Sequence, residues 1–349
     1  MKTQDWTVNN NSKALLSVDN LKTYFYIDRK VMKAVDGIDF NIYRNEILGI
    51  VGESGSGKSV TALSILRLLP PVPSCIVSGK IYYNNKNLLG LNEKQMQTIR
   101  GGEISMIFQE PATSLNPVLT IGKQIAESIQ FHQKLDKEET SKKVLEMLNL
   151  VKIPDPYRRI KEYPHEMSGG MKQRVMIAMA LSCNPSLLIA DEPTTALDVV
   201  TQKQILYLIK ELQMKLGTSV IFITHNFGVI AKIADRVMVM YAGKILEQAS
   251  VKDIFQRPGH PYTLSLLKSI PRLDVSKRGR LKAIPGSLPD PMDKIEGCLF
   301  HPRCEFATDI CRIKNPEPIK TGNQQYVRCW MYYKKEEVYF KNIIKRYKK

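Results

Sequence analysis

The sequence predicts an α/β protein built around a mainly parallel sheet. Continuous apolar runs, typical of strands buried on both faces, occupy residues 46–52, Ile104–Phe108, Leu187–Asp191 and Ser219–Thr224. Helical patterns separate these runs, and strands that alternate with helices form parallel sheets. A glycine-rich turn also joins the first run to a helix that extends from about Lys58 to Leu69, where Pro70 ends it.

The N-terminal part has a different pattern. Short alternating runs at Leu15–Val18, Tyr24–Ile27 and Ile38–Tyr43, with turn residues at Asp36-Gly37, predict an antiparallel edge sheet. From 111 to about 180 the pattern is helical, which predicts a helical subdomain inserted in the α/β domain.

The residue composition changes after residue 250. A hairpin around Ala242-Gly243 precedes the change, and closely spaced prolines and the last four cysteines follow it. We therefore predict a first domain over 1–250 and a C-terminal extension over 251–349, with a surface helix in the basic tail from 331 to the end.

Composition narrows the class of protein. The chain has 349 residues, of which 43% are hydrophobic and 24% charged, so a mainly disordered or fibrous protein is excluded. The net charge of +17 favours an anionic partner, which could be nucleic acid, a membrane surface or a phosphorylated ligand, although solvated lysine faces give the same count. No apolar run reaches membrane-spanning length, and residues 1–13 lack a signal-peptide core, so we expect a cytosolic protein.

A phosphate-binding loop is the strongest motif. Gly52-Glu-Ser-Gly-Ser-Gly57-Lys58-Ser59 matches G-x-x-x-x-G-K-[ST] and lies between a buried strand and a helix. The loop backbone and the helix N-terminus can face phosphates, Lys58 can reach the β- and γ-phosphates, and Ser59 can bind Mg²⁺. The predicted ATP-binding residues of this region are Gly52, Ser54, Gly55, Gly57, Lys58, Ser59 and Val60.

A second strand ends in two carboxylates. Leu187–Ala190 delivers Asp191 and Glu192 to the carboxyl end of a parallel sheet, where ligands bind. Asp191 can hold Mg²⁺ through water, and Glu192 can polarise an attacking water. Alone, the pair could be an ordinary solvated strand end, but the phosphate loop favours the catalytic interpretation.

Further motifs bring out a family resemblance. Met167-Ser-Gly-Gly-Met-Lys-Gln-Arg174 resembles the signature motif of ABC-type ATPases, Gln109 the Q-loop glutamine, Ala196-Leu-Asp198 the D-loop, and His225 the switch histidine. The resemblance covers about residues 15–250. It implies a phosphate-loop ABC ATPase domain with an antiparallel β subdomain and a helical subdomain, catalytic roles for Glu192 and His225, and Gln109 near the nucleotide and Mg²⁺.

The resemblance also implies a dimer. In this family the signature motif of one subunit, here Ser168, Gly169 and Gly170, closes on the phosphate loop of another. At the fifth position of the signature motif, Met171 replaces the commoner glutamine. In this respect the motif resembles that of the peptide-importer branch, in which the same variant occurs. An aromatic residue usually stacks on adenine; Phe25 fits best by position, with Tyr24, Tyr26 and plain core packing as alternatives.

Other segments resemble the dipeptide, oligopeptide and nickel importers. These are Gln109–Pro117, Arg257-Pro-Gly-His-Pro-Tyr-Thr263 and Gly297-Cys-Leu-Phe-His-Pro-Arg-Cys304, and the overall pattern is most similar to the D-type subunit. The resemblance implies a heterodimer with a sister ATPase, two membrane permease subunits, an extracytoplasmic binding protein that acts indirectly, and a peripheral position on the cytoplasmic membrane face. A soluble ABC ATPase acting on nucleic acid is the alternative; the chain has no tandem cassette or heptad run typical of that class, so we expect no specific nucleic-acid partner.

Four cysteines follow in the extension. Cys298, Cys304, Cys311 and Cys329 lack the C-x2-4-C knuckle that structural zinc sites usually contain. Four thiolates can bind a [4Fe–4S] cluster, as in some relatives, while zinc and no metal at all stay open. Arg303, Arg312 and Arg328 adjoin cysteines and are expected to lower the thiol pKa values.

Overall fold

The computed structural model describes residues 14–110, 114–195, 197–269, 284–290, 292–293 and 295–333. The predicted tail helix lies almost entirely outside these residues, as do the polar N-terminus and Ala196 of the D-loop-like motif. The strands are β1 Leu16–Ile27, β2 Lys30–Ile42, β3 Ile47–Val51, β4 Cys75–Tyr83, β5 Lys86–Asn87, β6 Ile104–Ile107, β7 Leu187–Asp191, β8 Ser219–Thr224, β9 Arg236–Tyr241, β10 Lys244–Ser250, β11 Ile319–Lys320 and β12 Tyr326–Val327. The α-helices are α1 Lys58–Leu66, α2 Glu93–Ile99, α3 Ile121–Gln133, α4 Lys137–Leu150, α5 Pro156–Arg159, α6 Gly169–Leu181, α7 Val199–Leu216, α8 Phe227–Ile233, α9 Val251–Gln256, α10 Pro261–Lys268 and α11 Asp309–Ile313.

An eight-stranded sheet forms the centre of the fold, in the order β11-β12-β10-β9-β3-β8-β7-β6. Strand β3 pairs in parallel with β8 and β9, and β7 pairs in parallel with β8 and β6. Every residue of β3, β7 and β8 is buried. The predicted α/β fold class is thus confirmed, and the buried strands occur where the continuous apolar runs predicted them.

The second sheet is antiparallel, with the order β2-β1-β4-β5. The predicted short runs near the N-terminus are in fact two long strands, and the predicted turn at Asp36-Gly37 is wrong because both residues lie inside β2. The pairing of β1 with β2 shifts register on either side of Leu21, near the partner of Asp36. A bulge of this kind places turn-type residues within a strand without ending it.

Helices between β6 and β7 make a layer that packs on the central sheet. Ile125 and Ile129 of α3, Val144 and Leu148 of α4, and Val175 of α6 are all fully buried in one hydrophobic cluster with sheet residues. Their spacing of four residues places each pair on one helix face. In the described part of the chain, no helix combines the length and apolar content that crossing a bilayer requires.

The segment after β10 returns to the central sheet. Strand β12 pairs with β10 through Glu247↔Val327 and Gln248↔Tyr326. The Glu247 carboxylate, with 0% exposure, accepts hydrogen bonds from Gly259 N at 2.7 Å, His260 N at 2.9 Å and Gln325 Nε2 at 2.8 Å. One buried carboxylate therefore joins the predicted first domain to three positions in the C-terminal segment, while the boundary at residue 250 stays a prediction.

We expect Glu247→Ala to lower the free energy of unfolding by about 3 kcal/mol, because it leaves buried donors without an acceptor. Urea unfolding of the full chain at constant pH measures the change. Glu211→Gln is the matched control, since Glu211 pairs with Lys152 on the surface and its removal should change stability little. Equal losses in the two variants would contradict the role given to Glu247.

Candidate functional site

The phosphate-type loop is shaped by two glycines that tolerate no side chain. Gly57 has φ of +101°, and a Cβ there would lie 2.4 Å from the backbone oxygen of Ala34. A Cβ on Gly52 would lie 2.2 Å from the backbone oxygen of Met240. Only glycine lets the loop turn this tightly between β3 and α1.

Lys58 closes the loop on itself. Its Nζ donates to the backbone oxygens of Gly52 at 2.9 Å and Glu53 at 2.8 Å, and lies 3.5 Å from Ser56 Oγ. Burial lowers the pKa of Lys58, although the nearby carboxylates of Glu192, Asp191 and Glu53 act in the opposite direction. The lysine is thus a buried cation placed inside a ring of backbone groups.

Asp191 lies at the end of β7, close to Ser59. Burial raises its pKa, and a hydrogen bond with the Ser59 side chain partly offsets this. One carboxylate oxygen, Oδ1, is buried and has no hydrogen-bond partner among the described residues. A hydroxyl and a carboxylate with an unused oxygen are donors that suit Mg²⁺, so these residues fit the predicted metal position.

Glu192 gathers three polar side chains around its carboxylate. Its Oε1 lies 3.1 Å from His225 Nδ1, and its Oε2 accepts from Thr195 Oγ1 at 2.8 Å and from Gln109 Nε2 at 3.5 Å. Burial acts to raise the pKa of Glu192, but the hydrogen bonds from His225 and Thr195 and the charge of Lys58 outweigh it, so this pKa lies below its usual range. The carboxylate is therefore kept ionised.

The backbone of Glu192 is strained. Its φ is +45°, in the left-handed region that residues with a Cβ avoid at a cost of about 1–2 kcal/mol. Its N–H donates to Ile223 O of β8 at 2.9 Å, which holds the residue in place. Strain of this kind is typical of functional positions, and here it turns the side chain toward Gln109 and His225.

The predicted signature residues start a helix. Ser168 is the N-cap of α6, and its Oγ accepts from Met171 N at 3.4 Å. Ser168 and Gly169 are exposed, and a Cβ on Gly170 would lie 2.7 Å from Thr201 of α7. Asp198 caps α7 by accepting from Val200 N and Thr201 N, both at 3.0 Å. The two motifs therefore lie side by side, with the signature surface open.

Among the three aromatic candidates for adenine, Phe25 is partly buried near the end of β1. Thr23, two residues earlier, bonds Ser64 of α1 at 2.8 Å between hydroxyl oxygens. The pairing of β1 with β4 is regular from Lys22 to Phe25, although the pairing with β2 shifts register after Thr23, so alternation along β1 places Phe25 on the face of Thr23. Tyr24 is occupied, since its hydroxyl donates to Asp36. The strand thus separates Phe25 from Tyr24 and Tyr26.

Comparison with known proteins decides the family. Residues 35–195 match the family model "ABC transporter", and 246–311 match "Oligopeptide/dipeptide transporter, C-terminal region". A probable peptide ABC transporter ATP-binding protein, y4tR of Sinorhizobium fredii, is 53% identical over 92% of this chain and 96% of its own length. The chain belongs to the ABC transporter ATP-binding proteins. It is therefore an ABC ATPase, which uses ATP and Mg²⁺, as the motifs predicted.

Other relatives of the ABC family give the same picture. The oligopeptide transport ATP-binding protein AppD of Bacillus subtilis is 50% identical over 91% of this chain and 97% of its own length. The solved cassette MJ0796, in a dimeric post-hydrolysis state bound to ADP and Pi, has a TM-score of 0.61 and 29% identity over 68% of this chain and 98% of its own length. The cassette fold predicted from the sequence is confirmed.

The remaining predicted residues of the ABC ATP site have different exposures. Ser54 and Gly55 are exposed on the loop, while Val60 is partly buried on α1 against the second hydrophobic cluster. Two residues of the site were not predicted from the sequence. Thr195 donates a hydrogen bond to Glu192, and Ser56 lies near the amino group of Lys58. Neither belongs to a position of the motifs with an assigned role, although Ser56 lies within the loop.

The four extension cysteines of this ABC ATPase line one small cavity of about 20 Å³, and all four are free thiols. Cys298 N donates to Cys311 O at 2.8 Å. Burial raises the pKa of Cys298 to about 11 and of Cys304 to about 12, and it raises that of Cys329 as well. For Cys304 and Cys329, the expectation that the adjoining arginines Arg303 and Arg328 give a lowered thiol pKa is therefore wrong, because desolvation dominates. Among the described residues, no three metal-ligating side chains are close enough for one ion.

We expect Thr195→Val to shift the acidic limb of the ATPase pH profile to higher pH. The variant loses a hydrogen bond that stabilises the ionised Glu192 carboxylate, so the pKa of Glu192 rises, and the active anion is lost earlier as the pH falls. The rate at alkaline pH should change little. Thr195→Ser keeps the hydroxyl and is the control; a profile identical in all three proteins would show that Thr195 does not tune Glu192.

Proposed function

We propose that this chain is the ATP-hydrolysing subunit that energises import of di- or oligopeptides through a membrane ABC transporter. The observation that carries the proposal is the presence, in one chain, of an ABC ATP site and of a C-terminal region matching that of oligopeptide/dipeptide transporters. The relatives named as peptide transport ATP-binding proteins support the cargo class. A nickel or other small-solute importer is the alternative outcome.

The roles at the ATP site follow from its geometry. Lys58 and the loop N–H groups bind the β- and γ-phosphates, with the loop carbonyls that now hold Lys58 giving way to phosphate oxygens. Ser59, Asp191 and Gln109 are the residues that would hold Mg²⁺. When bound, the ion neutralises charge that develops on the phosphates. Phe25 packs on the adenine.

Glu192 is the group that orients and polarises the attacking water. It is kept ionised as described above, so it can accept a proton, and Gln109 and His225 fix the direction of its two oxygens. His225 is exposed beside it and can contact the γ-phosphate. Because the strained backbone of Glu192 is held by β8, the base is positioned before ATP arrives.

A second ATPase subunit completes each site. The hydroxyl of Ser168 and the N–H groups of Gly169 and Gly170 start helix α6 on an exposed surface, where they can bind the γ-phosphate held by another subunit. The dimeric state of the MJ0796 cassette supports such pairing. We propose that the partner is a sister ATPase, so that the pair is a heterodimer that ATP closes and hydrolysis opens.

The permease subunits meet the helical layer. Pro117, the last residue of the Q-loop-like segment, and Val118, which follows it, line a wide cleft with Tyr157 and Tyr163. Val118 is 75% and Tyr157 73% exposed, so the cleft offers apolar surface to a partner. We propose that two permease subunits dock here on the cytoplasmic membrane face, with the extracytoplasmic binding protein acting through them.

Glu192→Gln tests both the transport function and the pairing. In the transporter assembled with its permeases and sister ATPase, the variant should bind ATP but hydrolyse it at least about 100-fold more slowly, and peptide uptake into vesicles should fail. The two ATPase subunits should then elute together in ATP. Lys58→Ala is the matched control, since it should lose ATP binding as well.

Four results would contradict these proposals. Undiminished hydrolysis by Glu192→Gln would remove the role of that residue, and a stable homodimer with full turnover would remove the heterodimer. ATP-driven uptake of nickel without peptide uptake would replace the cargo, and stimulation of hydrolysis by nucleic acid alone would replace the transport function.

We also propose that the C-terminal segment, the predicted unit 251–349, holds a [4Fe–4S] cluster on Cys298, Cys304, Cys311 and Cys329. The four thiols line one cavity, and their number matches the four ligands that such a cluster needs. The cavity of about 20 Å³ has room for about one water molecule, so the thiols would have to move apart to hold the cluster. Among the described residues, no group of three metal-ligating side chains is arranged to hold an ion, so the thiols would have to move to bind either the cluster or zinc. A zinc ion bound by the same cysteines is the alternative.

Anaerobic purification with iron, sulfide and zinc analysis tests the cluster. We expect about four iron and four sulfide per chain, and Cys304→Ser should lose them and destabilise the C-terminal segment while the loop still binds ATP. Cys183→Ser, remote from the cavity, is the control. Stoichiometric zinc without sulfide would replace the cluster, and metal-free protein with full transport would remove it.

A further inference from the structure

The C-terminal segment touches the phosphate loop at Glu53. Arg303 Nη1 donates to both carboxylate oxygens of Glu53, at 3.2 and 3.0 Å, and Glu53 N donates to Tyr262 Oη at 3.0 Å. Arg303 and Glu53 are 250 residues apart in the sequence. Leu288 also lies beside the loop, since a Cβ built on Gly55 would be 3.5 Å from Leu288 Cδ2.

Glu53 is also one of the two residues whose backbone oxygens hold Lys58. The Lys58 amino group donates to the backbone oxygens of Gly52 and Glu53. Any movement of Glu53 therefore moves an anchor of the lysine that reaches the phosphates. The Glu53 carboxylate is close enough to Lys58 to act on its charge.

Arg303, which binds Glu53, is itself held in place by its surroundings. The Arg303 side chain is 6% exposed, and its Nε donates to Pro285 O at 2.8 Å. Behind it, the rings of Tyr241, Tyr262 and Phe300 contact one another, with centroids 4.7 to 5.4 Å apart. An arginine clamped in this way holds its partner in one geometry, unlike the mobile arginines of surface ion pairs.

The negative charge of Glu53 explains why an ion pair with Arg303 matters for ATP binding. A free carboxylate next to a site for a triphosphate would repel the phosphates and compete for Lys58. Arg303 donates to both oxygens of that carboxylate, so its charge is offset by a cation from the C-terminal segment.

We propose that Arg303 and Tyr262 are positioning residues for ATP binding: they hold Glu53 so that its carboxylate is neutralised and its backbone keeps the phosphate loop in shape. The peptide-transporter-type segment is thus a wall of the nucleotide site and supports ATP affinity. It does not act on the chemical step, for which Glu192 and its partners suffice.

Affinity for Mg-ATP, measured by equilibrium dialysis on the full chain, tests the proposal. Arg303→Gln should raise the Kd for ATP by about fivefold or more. Adding Glu53→Gln to this variant should recover most of the loss, because the unpaired carboxylate is then gone. Arg312→Gln, an exposed arginine on the same segment, is the matched control and should bind as the native chain does.

Steady-state ATPase kinetics of the assembled transporter provide a second test. Arg303→Gln should raise KM for ATP and leave kcat at saturating ATP nearly unchanged, which a general loss of structure would not do. An unchanged Kd in Arg303→Gln, or a double variant as weak as the single one, overturns the proposal. If Arg303→Gln does not fold, Tyr262→Phe decides: it removes the hydroxyl that contacts the backbone and the side chain of Glu53, and an unchanged Kd in that variant also overturns the proposal.

Discussion

The parallel pairing of β3, β8 and β7 is the constraint on which the rest of the molecule depends. Val51 lies opposite Thr224, and Asp191 opposite Ile223, so the three strands end at one edge. The loop that holds Lys58 follows the first strand, His225 follows the second, and Glu192 follows the third. A register slip in any one pair would separate groups that chemistry requires within hydrogen-bond distance.

This edge also carries the strained backbone. Gly57 and Glu192 both have positive φ, and each is supported by a neighbouring strand or loop that leaves little room to relax. The buried sheet offsets the cost, which for Glu192 is about 1–2 kcal/mol. The same support reaches the loop from a distant part of the chain, because Glu53 is bonded to Tyr262 and Arg303. Rigid surroundings are what allow the site to be shaped before the nucleotide binds.

Sequence alone predicted the parts of the fold that have a strong local signal. The fully buried strands β7 and β8 coincide with their apolar runs, and the loop glycines, Lys58, Asp191 and Glu192 lie at predicted places. The reading failed where tertiary structure overrides local preference: Asp36-Gly37 is a bulge within a strand, and α1 ends at Leu66 rather than Leu69 because Arg67 takes a left-handed conformation. The pair Arg303–Glu53 has no local pattern at all, so no periodicity or motif could have predicted it.

The pairing of β12 on β10 has a consequence for how the molecule behaves among its own copies. Without residues 319–327, β10 would present its backbone N–H and C=O groups to solvent, and an open sheet edge is a template on which another chain can add a strand. Here the edge is closed by β12 and then by β11, which is only two residues long and leaves little for a foreign strand to grip. The C-terminal segment thus covers the edge of the sheet. A cassette truncated before this segment would expose β10 as an edge strand and would be expected to aggregate through it.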